Sequence, residues 1–268
     1  PRLGRREHLL LLLVFVAALA FRGAYLWSQA RNNPLFEYPQ MDGHVHDQWA
    51  RRIASGEGMP PEPYLRAPLY YYLLGLLYAV VGPSVAAARI AGSALGALTC
   101  YAIARLGVTL AGFRTGLLAG LIAAVYWPLV FFDAELVGAG LETLLNALLI
   151  WTLIVAGRRG RWRWFLLTGV VWGLSAITRP NVLVLAPAVW LWALLTGTPR
   201  RTWRQRILAP LAVTAGLVLP VLPVTLRNHF VGHEAILVAS SGGVNFYIGN
   251  NPKSNGYLAL VPEARARG

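Results

Sequence analysis

Acidic side chains are scarce in this chain: eleven in 268 residues, against 24 lysines and arginines. None lies between Glu62 and Asp133, and none between Glu142 and Glu234. Charged residues of both signs make up 13% of the sequence, about half the share of an ordinary soluble domain. That shortage argues against a globular protein wrapped in water. There is a single cysteine, Cys100, inside an apolar run; it excludes an intrachain disulfide framework and reads as a small buried hydrophobe. Internal repeats and low-complexity segments are also missing. A net charge of +13 would suit nucleic acid, but apolar runs interrupt the arginines, which form no continuous basic surface. Nucleic acid is therefore not expected as a partner, and anionic lipid headgroups are.

What the chain has is hydrophobicity. Apolar types make up 56% of it and the mean hydropathy is +0.52. Several apolar runs approach the ~20 residues that a helix needs to cross a bilayer. Seven candidate spans follow, at residues 8–28, 86–106, 115–132, 137–157, 164–178, 180–197 and 207–226. The first resembles a signal-peptide core, but it continues to Trp27 with no small-residue cleavage site, so a retained signal anchor is expected. An eighth apolar stretch, 68–82, carries Tyr70, Tyr71, Tyr72 and Tyr78. It is short for a span and suits the headgroup region, where aromatic rings with a polar tip prefer to lie.

Charge decides the fate of that stretch. If 68–82 does not cross, residues 1–7, 107–114, 158–163 and 198–206 share one side, which holds the arginine clusters and, of the acids, Glu7 alone. If it does cross, both large arginine clusters face outward, against the rule that Lys/Arg-rich short loops stay cytoplasmic. The expected fold is therefore all-α and integral to the membrane, with seven transmembrane helices plus a periplasmic interfacial helix. Residues 1–226 form the transmembrane module, with a first outer loop at 29–85. Residues 227–268 begin a periplasmic loop or domain, and the chain reads as a fragment of a longer protein. The N-terminus is expected in the cytoplasm of a bacterium, and the protein in its inner membrane.

The outer face then collects the chemistry. Asp42 sits just past a turn, and a partly desolvated carboxylate near the bilayer suits general-base work; a helix cap or solvated loop charge is the other reading. His44, His46 and Asp47 could join Asp42 around a divalent ion if the loop curls about it, or be solvated, hydrogen-bonded side chains. Glu142 lies seven residues beyond Glu135 within an apolar segment, where an ionisable group is costly without a cavity or partner. Asp133 and Glu135 read either as part of this acidic second site or as charges complementing a helix dipole. Arg66, Arg179, Arg227 and Lys253 supply positive charge on the same face, and an arginine fork matches a phosphate. Arg22, near the outer end of the first span, is expected to snorkel to the headgroups.

Taken in order, these segments resemble a known group. They are the signal anchor, Asp42 with Ala50 and Gly56 following, Arg66-Ala67-Pro68-Leu69-Tyr70, Arg89, Thr178-Arg179-Pro180-Asn181, and a tail from Ser241 to Pro252. Together they look like the bacterial GT-C membrane glycosyltransferases of the protein O-mannosyltransferase and aminoarabinose-transferase kind. The resemblance implies an inverting transferase that moves a sugar from a polyprenyl-phosphate donor to a hydroxyl of a protein, lipid or glycan acceptor, with no required cofactor and a divalent metal optional. It maps the family's base onto Asp42, its acid near the fourth span onto Glu142, and a donor-phosphate contact onto Arg66; in the expected mechanism Arg66, Arg179 and Arg227 together hold the departing phosphate. Tyr247 and Asn250 would lie in a lid over the sugar. Relatives often carry Asp-Glu where this chain has Asp42-Gly43, and Pro-Pro-Leu where it has Ala67-Pro68-Leu69. The competing readings are a lipid flippase or transporter, which needs no base, and a non-catalytic scaffold.

Overall fold

A computed structural model describes residues 4–196, 202–252 and 254, and among them the chain is helical without strands. In order, the helices are α1 (Arg5–Asn32), α2 (Met41–Ala54), α3 (Leu69–Val81), α4 (Val85–Ala111), α5 (Phe113–Val125), α6 (Trp127–Ala134), α7 (Ala139–Arg159), α8 (Trp162–Ala176), a 3-10 segment (Pro180–Leu185), α9 (Ala186–Leu195), α10 (Trp203–Phe230) and α11 (Ser241–Asn250). Lys253 lies outside the described residues.

Four of these, α1, α4, α7 and α10, are long and apolar enough to cross a membrane. The pair α5 and α6, bent by 56°, makes a fifth if taken as one broken span. Each expected span position holds an apolar helix, but α8, of 15 residues, is only about 23 Å long, short of a ~30 Å hydrocarbon core. Pro180–Leu195 is also a short helix in residue count. Its first six residues are 3-10, which rises ~2.0 Å per residue, so the segment reaches about 27 Å. At 13 residues, α3 is about 20 Å long.

The packing has two lobes bridged by α7. One joins α1 to α4, α5 and α6; the other joins α8 to α9 and α10. Within a bilayer water cannot drive helices together, so close backbone approach through small residues matters more. Gly169 and Gly216 supply it in the second lobe: a Cβ built on Gly169 would sit 2.1 Å from the Val213 carbonyl oxygen, and one on Gly216 2.2 Å from that of Leu166. Outside these lobes α2 packs on α3, through Ala50, Leu74 and Tyr78.

The break between α5 and α6 has a sequence cause. Pro128 cannot donate a backbone hydrogen bond to Ala124, four residues earlier, and its ring crowds that carbonyl. The freed Ala124 oxygen is taken by Arg22 Nη1 at 3.1 Å. Arg22 therefore does not snorkel. It is fully buried and reaches inward, donating Nε to Asp133 Oδ2 at 2.9 Å and holding Nη2 against the same oxygen at 2.8 Å. A polar side chain that re-satisfies a proline-freed carbonyl is how membrane helices tolerate such a break.

Candidate active site

The short turn after α6 gathers contacts from three elements. Asp133 pairs with Arg22 of α1. Arg89 of α4 donates to the Ala134 carbonyl at 2.7 Å, to the Glu135 carboxylate at 3.0 Å and to the Phe36 carbonyl at 3.1 Å. The Leu136 carbonyl lies 2.9 Å from His46 Nδ1 of α2. Residues 133–136 thus tie α2, and the loop leading into it, to the membrane bundle. Gly43 sits at this seam, where a Cβ would lie 3.6 Å from that of Leu136. At Gly43, α2 thus packs close on the turn.

Asp42 is the second residue of α2, just after Met41, which takes a left-handed φ of +50°. A positive φ at a residue with a side chain is uncommon and costs strain, and here it sets the entry of the helix that carries the carboxylate. Asp42 Oδ1 receives Arg66 Nη2 at 2.9 Å. The Arg66 guanidinium holds the Asp42 carboxyl below its ordinary value, against a smaller upward push from burial. Arg179 pairs with Glu142 Oε2 at 3.0 Å.

Asp42, His46, Arg66, Glu142 and Arg179 line one cavity of about 420 Å³, closed further by Tyr70, Thr178, Asn181, Ser241 and Asn245. A second cavity, of about 430 Å³, is lined by Asn33, Tyr38, Gln40, Phe131, Arg89 and Glu135. Asp42, Phe132 and Val137 belong to both. Both volumes are of the size that holds a small polar ligand. In the first cavity each of two guanidinium groups meets a single carboxylate and keeps further donors for an anion; in the second Arg89 spends its donors on Glu135 and the Phe36 and Ala134 carbonyls. Asp42 stands on the wall between them.

The other expected site residues fall elsewhere. Asp133 is buried against Arg22 and does not line either cavity. Arg227 stacks over Tyr64 at 4.3 Å and donates to the Pro60 and Glu62 carbonyls, so its guanidinium clamps the loop before Arg66. Tyr247 and Asn250 lie in the second half of α11, while Ser241 and Asn245 of its first half reach the cavity. His44 contacts Gln48 at 2.9 Å. Asp47 is held by Arg51 at 2.7 Å and by the Tyr78 hydroxyl at 2.6 Å. Among the described residues no three His, Cys, Asp or Glu side chains converge as metal ligands.

Arg89 and Tyr70 shape the site, and sequence reasoning gave neither a role in it. Arg89 had two signals, its place in the family-like order of segments and its position as a lone charge in a run of small residues opening a span. The site residues gather at one end of the bundle: Glu142 lies in the first turn of α7, while Arg158 and Arg159 close it about 25 Å away.

Residues 65–226 match the family described as dolichyl-phosphate-mannose-protein mannosyltransferase. No curated protein and no solved structure matches the chain.

Proposed function

On the premise that the chain belongs to the dolichyl-phosphate-mannose-protein mannosyltransferase family, and so carries out glycosyl transfer of the GT-C type, we propose that it moves a sugar from a polyprenyl-phosphate donor to a hydroxyl acceptor at the outer face of a bacterial inner membrane. One observation carries this reading: Asp42 borders two cavities, of which one is lined by two arginines, Arg66 and Arg179, and the other by one, Arg89, whose guanidinium is spent on Glu135 and two backbone carbonyls.

An inverting displacement needs the acceptor oxygen and the departing phosphate on opposite sides of the anomeric carbon. The donor phosphate is assigned to Arg66 and Arg179, whose rigid forks suit it. The acceptor enters through the second cavity. Its oxygen attacks the anomeric carbon, its proton passes to Asp42, and the carbon–oxygen bond to phosphate breaks with the electron pair going to the phosphate. Stabilising that leaving charge is the task of the two arginines.

The ion pair between Arg66 and Asp42 also suggests an order of events. Arg66 is held by Asp42, and a bound phosphate competes for it. Donor binding thereby releases the carboxylate and raises its proton affinity when an acceptor proton must be taken. Arg227 supports this arrangement from outside the cavity by fixing the loop that carries Arg66.

The reading includes seven crossings, with α8 and Pro180–Leu195 as short spans and α3 along the periplasmic leaflet. Charge supports it: the arginines at 158–163 lie at the bundle end opposite the site. A cysteine introduced at Gly160 is then expected to be labelled only from the cytoplasm, and labelling by a membrane-impermeant reagent in intact cells reverses the topology. The activity itself is tested in proteoliposomes with a radiolabelled polyprenyl-phosphate sugar. Label transferred to an acceptor supports the enzyme; lipid moved intact across the bilayer means a flippase, and neither outcome means a scaffold.

A further inference from the structure

His46 stands one turn beyond Asp42 on the same helix and lines the same cavity, yet the displacement above gives it no task. Its ring is fixed on several sides. Nδ1 lies 2.9 Å from the Leu136 carbonyl oxygen. The Tyr70 ring meets it edge-on at 5.1 Å, with Tyr71 and Trp49 farther out at 6.4 and 6.5 Å.

A carbonyl oxygen can only accept, so Nδ1 carries the hydrogen and donates it. In the neutral ring, Nε2 is then bare and acts solely as an acceptor. Burial favours that neutral ring by pushing the His46 pKa down; the Leu136 bond opposes it, the Arg66 charge adds to it, and the Asp42 charge opposes it. Among the described residues Nε2 has no hydrogen-bond partner, and it is not one of their sealed-off polar atoms, which are Arg22 Nη2 and Ser93 Oγ. Nε2 is thus a reachable acceptor on a side chain that lines the cavity.

The other charged groups there are committed. Arg66 and Arg179 can only donate, Glu142 is bonded to Arg179, and Asp42 awaits the acceptor proton. A donor molecule in this cavity brings one anionic end and a ring of hydroxyls. We propose that His46 Nε2 accepts a hydrogen bond from a hydroxyl of the donor sugar, making His46 a recognition residue that selects sugars with that hydroxyl free. The proposal rests on the glycosyl-transfer reading and extends it to the sugar.

The test uses purified protein in micelles with a polyprenyl-phosphate sugar and its monodeoxy analogues. His46→Asn keeps a donor near the Nδ1 position, for Leu136, and removes the Nε2 acceptor. It is expected to raise the donor KM about three- to tenfold, the worth of one neutral hydrogen bond, with kcat changed less than about twofold. One monodeoxy analogue is expected to cost the unaltered protein the same factor and to cost His46→Asn nothing, as a shared contact requires.

Acid gives a second readout. Protonating His46 removes the acceptor, so KM rises as pH falls through its lowered pKa, and His46→Asn lacks that rise. Among the described residues, the charged and titratable groups that face the ring are Asp42 on α2, Arg66 on the loop, Tyr70 and Tyr71 on α3, and, across the cavity, Glu142 of α7 and Arg179. The Arg66 contact lowers the Asp42 pKa, and burial raises those of the two tyrosines.

An unchanged KM in His46→Asn overturns the proposal, as does a penalty from every deoxy analogue that is equal in both proteins. Should His46→Asn fail to fold, the analogue series on the unaltered protein still decides: equal binding of every analogue overturns it. Donor binding is read separately by tryptophan fluorescence. A protein that binds donor with these preferences but transfers no sugar refutes the transfer reading and leaves His46 as a recognition residue. One that binds no donor refutes both.

Discussion

Arg22 and Asp133 offer the sharpest test of how this bundle is held together. Both side chains are essentially sealed from solvent, at 0% and 2% exposure. Arg22→Met removes the charge at similar length, which leaves two buried groups without a partner: the Asp133 carboxylate and the Ala124 carbonyl that Pro128 has freed. Removing one partner of a buried pair costs about 3–5 kcal/mol. Protonation of Asp133 limits that cost, because a neutral carboxyl is far cheaper to bury than a charged one. Adding Asp133→Leu deletes the stranded charge, and the remaining penalty is the orphaned Ala124 carbonyl, about 1–3 kcal/mol. The double variant is thus expected to be more stable than Arg22→Met alone. Unfolding in mixed micelles, followed by the fluorescence of the ten tryptophans, measures both. Sugar transfer by the double variant is expected within a few-fold of the unaltered protein, since neither residue lines a cavity. The reasoning is refuted if Arg22→Met costs less than about 1 kcal/mol, or if the two substitutions simply add.

Two further outcomes follow from the same geometry. Arg66→Ala removes the group that holds the Asp42 carboxyl low, so the acid limb of the kcat/KM profile, where Asp42 gains a proton, moves to higher pH; an unmoved limb separates Asp42 from the titration. Gly216→Ala places a methyl 2.2 Å from the Leu166 carbonyl oxygen and forces α8 and α10 apart, destabilising the protein by about 1–3 kcal/mol in the same unfolding assay.

Hydropathy located the helices well, because an apolar stretch that faces lipid needs no tertiary information to be recognised. The expected interfacial stretch at 68–82 became α3 at Leu69–Val81, ended by Gly82 at a φ of +85°. Lengths were less legible. Residues 180–185 run as 3-10 ahead of Pro187, which cannot donate to Leu183, and Pro128 bends another span; a hydropathy window averages both missing donors away.

Within the site, the sequence pointed to Asp42, Arg66, Glu142 and Arg179, and the fold brings these four to one cavity from four separate stretches of chain. Partner choice was not legible. Asp133 and Glu135 are two residues apart, yet one turns inward to Arg22 and the other meets Arg89, because α6 ends between them. Arg22 illustrates the same limit. A guanidinium near a span end reads as snorkelling until the bend at Pro128 exposes a carbonyl for it to satisfy. Arg227 lies in the last turn of α10, and its reach is spent on the backbone of residues 60–62.

The central claim is that the Asp42 carboxylate removes the acceptor proton, and Asp42→Asn measures it most directly. The amide keeps the shape of the side chain and loses the base. Transfer from a polyprenyl-phosphate sugar is expected to fall by about 10²–10⁴-fold, the usual contribution of a positioned base, while donor binding holds or tightens, since the amide competes less for Arg66. An Asp42→Asn protein that turns over within a few-fold of the unaltered one contradicts the account.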